Sequence, residues 1–152
     1  MAIDSLVHEL GAQKSAEPGS WVVRLMALAE GIDRELADPT ELERLADRLV
    51  SIAEMLGARS VAGASQGGER LAGAVAARSS GRVRLADGAA TLDPVLVIET
   101  LMATGTQVLA TAKTFRDSGV ERVMAAALLA DPVALEFARA ELGGQVVALE
   151  MI

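Results

Sequence analysis

Apolar side chains recur every three or four positions through the first third of the chain, then gather in short continuous runs. The two patterns predict different elements. Ile3, Leu6, Val7 and Leu10 fall at helical spacing, with Gly11 placed to close the turn. Beyond the breaker Pro18-Gly19-Ser20, the positions Val22, Leu25, Met26, Ala29 and Ile32 share one face of a second helix. Asp38-Pro39-Thr40 interrupts and restarts the pattern. Thr40, with Glu43 three residues later, fits a capping box, and Leu42, Leu45, Leu49, Ile52 and Leu56 carry the stripe on to Gly57.

From Ala58 the reading changes to alternating strands and helices. Residues 60–63 form a short apolar strand candidate, the turn Ala64-Ser65-Gln66-Gly67-Gly68 follows, and residues 69–78 read as an Ala/Leu helix. Residues 82–86 alternate basic and apolar side chains, as an exposed edge strand does, which puts Arg82 and Arg84 on one strand face. Val95-Leu96-Val97-Ile98 is a continuous apolar run of the kind found in buried parallel strands. A helix over 104–118, a strand over 123–129, a helix over 132–142 and a strand over 145–149 complete the series. Strands and helices alternating through short connections predict an α/β fold, a parallel sheet flanked by helices. Residues 1–57 are expected to form an N-terminal helical segment and 58–152 the α/β core, together one compact domain.

Composition narrows the chemistry. A chain 51% hydrophobic and 23% charged is not disordered. With no cysteine, thiolate sites and cysteine nucleophiles are excluded, and the one histidine (His8, expected at a helix surface) argues against a multi-His metal site or a Ser-His triad within one chain. The net charge of −7 and 2% aromatics argue against nucleic-acid binding. That charge is unevenly shared: residues 1–57 carry 11 acids and 5 bases, residues 58–152 carry 10 acids and 9 bases. No apolar run approaches the roughly 20 residues needed to span a bilayer. Asp4 and Glu9 stand where a signal peptide would be basic. The expected location is cytoplasmic, with no membrane partner.

The chemistry concentrates in Val95-Leu96-Val97-Ile98-Glu99-Thr100-Leu101-Met102-Ala103-Thr104-Gly105-Thr106-Gln107. A buried strand ends in an acid and runs through Thr-Gly-Thr into a helix. Backbone amides at a helix start receive anions, Gly105 permits close approach, and the Thr104 and Thr106 hydroxyls add donors. Glu99, at the carboxyl end of its strand, stands where open α/β sheets bind ligands and can hold sugar hydroxyls. The same residues also fit a plain strand–helix connection in which Thr104 merely caps the helix.

This stretch resembles the motif by which type I phosphoribosyltransferases bind 5-phosphoribosyl 1-pyrophosphate (PRPP): an apolar strand, acids, two apolar residues and a small residue before Thr-Gly. Val61-Ala62-Gly63-Ala64-Ser65-Gln66-Gly67-Gly68 with Leu71-Ala72 is similar to the family's pyrophosphate loop and its helix. Asp87-Gly88, Gly119-Val120-Glu121-Arg122-Val123 and Val146-Val147-Ala148-Leu149 resemble the orotate subgroup, so the likeness covers about residues 58–152. It implies that Ala103, Thr104, Gly105, Thr106 and Gln107 bind the 5-phosphate. Glu99, the candidate catalytic residue, would bind the ribose hydroxyls beside Thr100. Ala64, Ser65, Gln66 and Gly67 would cradle pyrophosphate. It also implies Mg²⁺ bridging the ligand, PRPP or a phosphorylated nucleotide as that ligand, and a homodimer.

Three departures bear on activity. Thr100 replaces the second acid, the segment between Arg78 and Val95 is too short for the usual mobile lid, and only Lys14 and Lys113 supply lysine. The expected function is therefore a divergent phosphoribosyltransferase-like protein that binds PRPP or a nucleotide phosphate with weak or no catalysis, in a regulatory or assembly role. The alternative is an active enzyme that transfers phosphoribosyl from PRPP to a nucleobase such as orotate.

Overall fold

A computed structural model describes residues 19–152. The expected helix at Ile3–Leu10 with His8 lies outside the described residues, as do the side chains of Trp21 and Val22. Two helices, α1 (Gly19–Ala37) and α2 (Pro39–Leu56), lead into the α/β part. There β1 (Ser60–Gly63), α3 (Gln66–Arg78), β2 (Arg84–Leu85), β3 (Val95–Met102), α4 (Thr106–Asp117), β4 (Val123–Ala130), α5 (Pro132–Leu142) and β5 (Val146–Met151) follow in turn. The five strands form one sheet in the order β2-β1-β3-β4-β5, parallel throughout. This is the α/β architecture that the alternating pattern predicts.

Side-chain alternation gives the sheet two cores. Leu96 and Ile98 of β3, with Met124, Ala126 and Leu128 of β4, face α1, α2 and α3. Val95 and Val97, with Val123, Ala125 and Ala127, face α4 and α5. Central strands buried on both faces have no room for polar residues, which is why β4 is apolar and buried from end to end. The alternation shifts near the carboxyl ends. Leu101 and Leu129 pack on the first face, Met102 and Ala130 on the second. The shift falls at Thr100, which drops out of the β3–β4 pairing between Glu99↔Ala127 and Leu101↔Leu129.

Several local expectations are corrected. In α1 the buried face is Leu28, Ile32 and Leu36, so Met26 is exposed and the stripe is rotated from the expected one. The cap of α2 is Asp38, whose carboxylate accepts the Thr40 amide at 2.9 Å, because Pro39 takes the first helical position and Thr40 lies inside the helix. The turn after β1 is shorter than expected. Ser65 caps α3 by accepting the Gly68 amide at 3.0 Å, which draws Gln66, Gly67 and Gly68 into the helix. The edge strand contracts to Arg84–Leu85. Arg82 precedes it, donating to the Ser79 carbonyl and pairing with Glu54, so Arg82 and Arg84 do not share a strand face.

Helix α3 sits unusually close to the sheet. A Cβ on Gly68 would stand 2.3 Å from the Ile98 carbonyl oxygen, and one on Gly63 would stand 2.0 Å from the Glu69 amide. The far end of α3 is tied to α2 by Arg78, which donates to Asp47 at 2.9 Å and pairs with Glu43.

Two predictions follow from this packing. Gly68→Ala should cost about 3 kcal/mol in urea unfolding through overpacking. Gly73→Ala, on the same helix with nothing within 4 Å of its Cβ, should gain about 0.5–1 kcal/mol. Equal effects would contradict the close approach. The hydrogen bond from Arg78 holds the Asp47 carboxyl below its ordinary value of 3.8, against the opposing effect of burial. A carboxyl depressed by folding stabilises above its unfolded value and loses that contribution as pH falls through the folded one. The stability gap between wild type and Asp47→Asn should therefore be widest near neutrality and close below about pH 4.

Candidate functional site

Strand β3 runs past Glu99 to Met102 because Leu101 and Met102 continue the ladder with Leu129 and Ala130. The acid therefore lies within the strand, three residues before its end. Glu99 is 2% exposed. Its Oε1 accepts the Ser65 hydroxyl at 2.6 Å and the Thr100 amide at 2.8 Å, with the Thr100 hydroxyl at 3.4 Å. Oε2 takes no hydrogen bond from the described residues, and Glu99 borders an open cavity of about 270 Å³.

That cavity is walled by Glu99 and residues 101–108. Its floor is the turn into α4. Gly105 stands at the cap position with φ 83°, in the left-handed region, and has no side chain to close the helix start. Internal bonding of α4 begins where Leu109 donates to the Gly105 carbonyl at 3.0 Å, which leaves the amides of residues 106–108 as the helix's orphan donors. Thr104 and Thr106 join their hydroxyls at 2.9 Å, both exposed on the rim, and the Thr106 amide reaches Thr104 Oγ1 only at 3.4 Å. Thr104 thus precedes the cap residue. A helix start with the free amides of Gln107 and Val108, two hydroxyls and the field of the helix dipole suits a phosphate dianion.

The first-turn glycines of α3 reach the same strand from its other face. The Ala64 amide donates to the Ile98 carbonyl at 2.9 Å and the Glu69 amide to the Ser65 carbonyl at 2.8 Å. A Cβ on Gly67 would stand 2.6 Å from the Thr100 methyl, with Leu36 of α1 behind it.

No family model matches the chain, and no curated protein matches it significantly in sequence. Solved structures do match. Orotate phosphoribosyltransferase from Aeropyrum pernix superposes with a TM-score of 0.63 at 23% identity, over 78% of this chain and 75% of its own. A phosphoribosyltransferase from Corynebacterium diphtheriae gives 0.61 at 20% identity, over 80% and 85%. The adenine enzyme from Giardia lamblia, solved with 9-deazaadenine, gives 0.60 at 18% identity, over 79% and 84%. The fold is that of the type I phosphoribosyltransferases.

On this phosphoribosyltransferase fold the sequence-predicted residues fall into two groups. Glu99, Ala103, Thr104, Gly105, Thr106 and Gln107 come together around one cavity. Thr100 and the loop residues Ala64, Ser65, Gln66 and Gly67 do not line it. They stand behind Glu99, joined to it through the Ser65 hydroxyl. Arg70 is exposed on α3, and Lys113 pairs with Asp117 at 2.6 Å well along α4. Sequence reasoning missed two supports. Phe137 and Ala134 of α5 pack beneath Gly105, and Leu36 closes the rear of Gly67. Leu36 was legible as the next step of the Ile32 stripe; the α5 contact had no local signal.

Ser65 does two jobs at once, and its loss should show both. Ser65→Ala removes a helix cap and a donor to a buried carboxylate, so urea unfolding should register a loss of about 2 kcal/mol. Ser65→Thr, which keeps the hydroxyl, should lose less than half of that. A loss in the alanine variant below about 0.5 kcal/mol would show that Glu99 does not depend on this bond.

Proposed function

We propose that this chain binds the phosphate of a phosphoribosyl compound, PRPP or a nucleotide, at residues 103–107, with weak or no transferase activity. The observation that carries the reading is the pairing of an open helix start with Glu99 on one small cavity. The amides of residues 106–108 and the Thr104 and Thr106 hydroxyls take the phosphate. The buried carboxylate, fixed through Oε1, offers Oε2 to a sugar hydroxyl. Because Ser65 and the Thr100 amide already orient Glu99, little ordering is needed when the ligand arrives.

Magnesium fits this donor set in its usual manner, through one carboxylate and the ligand's own phosphate oxygens. The described residues hold no cluster of three or more His, Asp or Glu suited to a metal ion. Glu99 would be its protein ligand, and the ion would supply neutralisation of phosphate charge.

The weak-catalysis part rests on charge. Transfer at the ribose C1 needs the leaving pyrophosphate to be stabilised by preorganised cations and donors. Among the described residues, Arg78, Arg82, Lys113, Arg122 and Arg139 are engaged with Asp47, Glu54, Asp117, Gln145 and Glu136 respectively. Thr100 donates a hydrogen bond where a second carboxylate would oppose developing positive charge at the sugar.

Calorimetric titration with PRPP and magnesium should give saturable binding. Gly105→Val, which strains a residue held at positive φ beside the ligand, should weaken it at least tenfold with circular dichroism unchanged. Incubation with PRPP and orotate should release no pyrophosphate above background; steady release would establish the active-transferase alternative. Failure to bind any sugar phosphate would refute the site.

A further inference from the structure

Whatever the cavity binds, we infer that Asp87 is a site of spontaneous main-chain isomerisation, the position at which the folded chain converts aspartate to isoaspartate. The product is a substrate for the class of carboxyl methyltransferase that recognises isoaspartate. The reaction joins a side-chain carboxyl to the amide nitrogen of the next residue. The Gly88 nitrogen attacks Asp87 Cγ, its proton leaves with the carboxyl hydroxyl as water, and a five-membered succinimide closes. Water then adds to one of the two ring carbonyls. Breaking the bond from nitrogen to Cγ restores aspartate. Breaking the bond from nitrogen to the main-chain carbonyl carbon leaves the chain running through Cγ, with that carbonyl carbon released as a free carboxylate. The water lost is the water regained, so no other reactant is needed.

Ring closure needs a free carboxyl, a free amide and no bulk on the residue that attacks. The chain has no asparagine, so aspartate alone can react this way, and Asp87-Gly88 is its one aspartate followed by glycine. The fold leaves both reacting groups open. Asp87 and Gly88 are exposed just past the carboxyl end of β2. The Asp87 carboxylate makes no cap bond to the 3-10 turn Gly88–Ala90, and the Gly88 amide carries no hydrogen bond. A Cβ at Gly88 would meet nothing within 4 Å. Bringing the nitrogen to Cγ rotates the peptide about the Asp87 ψ, which stands at 89°. The turn that resists is closed by two hydrogen bonds, from the Ala90 amide to the Asp87 carbonyl at 2.8 Å and from the Thr91 amide to the Gly88 carbonyl at 3.2 Å. Gly88, already at φ 44°, follows that rotation without a side chain to clash.

Each of the other described aspartates lacks one of these requirements. Asp38, Asp93 and Asp131 precede prolines, whose nitrogen has no proton to lose. The Asp117 carboxylate is held by Lys113 at 2.6 Å, and the amide after it donates to the Thr114 carbonyl at 3.2 Å. Asp33 and Asp47 lie inside α1 and α2, where the following amide belongs to the helix ladder. Conversion at 87 lengthens the main chain by one methylene between β2 and β3, and the carbonyl that accepts the Ala90 amide becomes a carboxylate oxygen.

The test is to age the full chain at neutral pH, folded and in guanidinium chloride. Isoaspartate is then measured with an isoaspartyl methyltransferase and labelled S-adenosylmethionine, and placed by peptide mass mapping. Because local opening at an exposed turn costs little, the folded chain should convert Asp87 within about fivefold of the unfolded rate, while folding slows Asp117 by more than about tenfold. Asp87→Glu, which would need a six-membered ring, should remove the signal at 87. Asp87→Asn, which loses ammonia in place of water, should convert faster than wild type and show the mass gain of that exchange. Folding that slows conversion at 87 by more than about fivefold would overturn the inference. So would greater conversion at another described aspartate, or a folded Asp87→Asn variant that stays unchanged while its unfolded form converts.

Discussion

A carboxylate 2% exposed inside a strand must be matched by donors before the structure around it can close. Much of the site's geometry is arranged around how Glu99 meets that demand. One oxygen is supplied from two directions, by the Thr100 amide next to it and by Ser65 from 34 residues away. The first donation accompanies the loss of Thr100 from the pairing with β4, and the shift of side-chain alternation that follows sends Leu101 and Met102 to opposite cores. The second requires the start of α3 to lie almost in contact with β3, which residues without side chains at 67 and 68 allow. Ser65 completes the circuit because the hydroxyl that donates to Glu99 also accepts the Gly68 amide.

Elements whose limits are set by local chemistry were readable from the sequence. Ser60–Gly63 and Pro132–Leu142 appear as expected, the first bounded by a polar turn and the second by Asp131-Pro132 and Gly143. Elements whose limits are set by neighbours were not. The apolar run 95–98 ends at Glu99, so the residues alone stop the strand there; pairing with β4 carries it to Met102. The face of α1 is not specified by its sequence, since Met26, Leu28 and Ala29 are all apolar, and only packing on α2 and β3 selects Leu28, Ile32 and Leu36. Asp38 and Thr40 are both good cap residues; Pro39 decides between them by taking the first helical position.

The candidate site divides along the same line. Thr104-Gly105-Thr106 and Glu99 are eight residues or fewer apart, on a strand–turn–helix unit whose geometry a short motif can specify, and they meet at one cavity. The Ser65–Glu99 bond links separate crossovers, and its consequence for the loop at 64–67 depends on the depth to which α3 sinks into the sheet. Glycines at 63, 67 and 68 read equally well as a loop that bends around a ligand and as a helix packed tightly on a strand. Side-chain clearance chooses the second: ideal Cβ atoms at these positions would meet main chain at 63 and 68 and the Thr100 methyl at 67, all at 2.6 Å or less.

A likeness of fold at 18–23% identity shows the fold and leaves open what is done on it. The two ends of the expected ligand make different electrostatic demands. A monoester phosphate needs donors at one helix start, and α4 supplies them from main chain that no substitution of side chains removes. A leaving pyrophosphate needs additional positive charge held in advance, and several of the bases are held by surface acids, as Arg78 is where it ties α3 to α2. Glu99 stands between the two ends and is satisfied from the α3 side. The same hydroxyl that lets a buried acid persist beside the cavity is therefore withdrawn from any group beyond it.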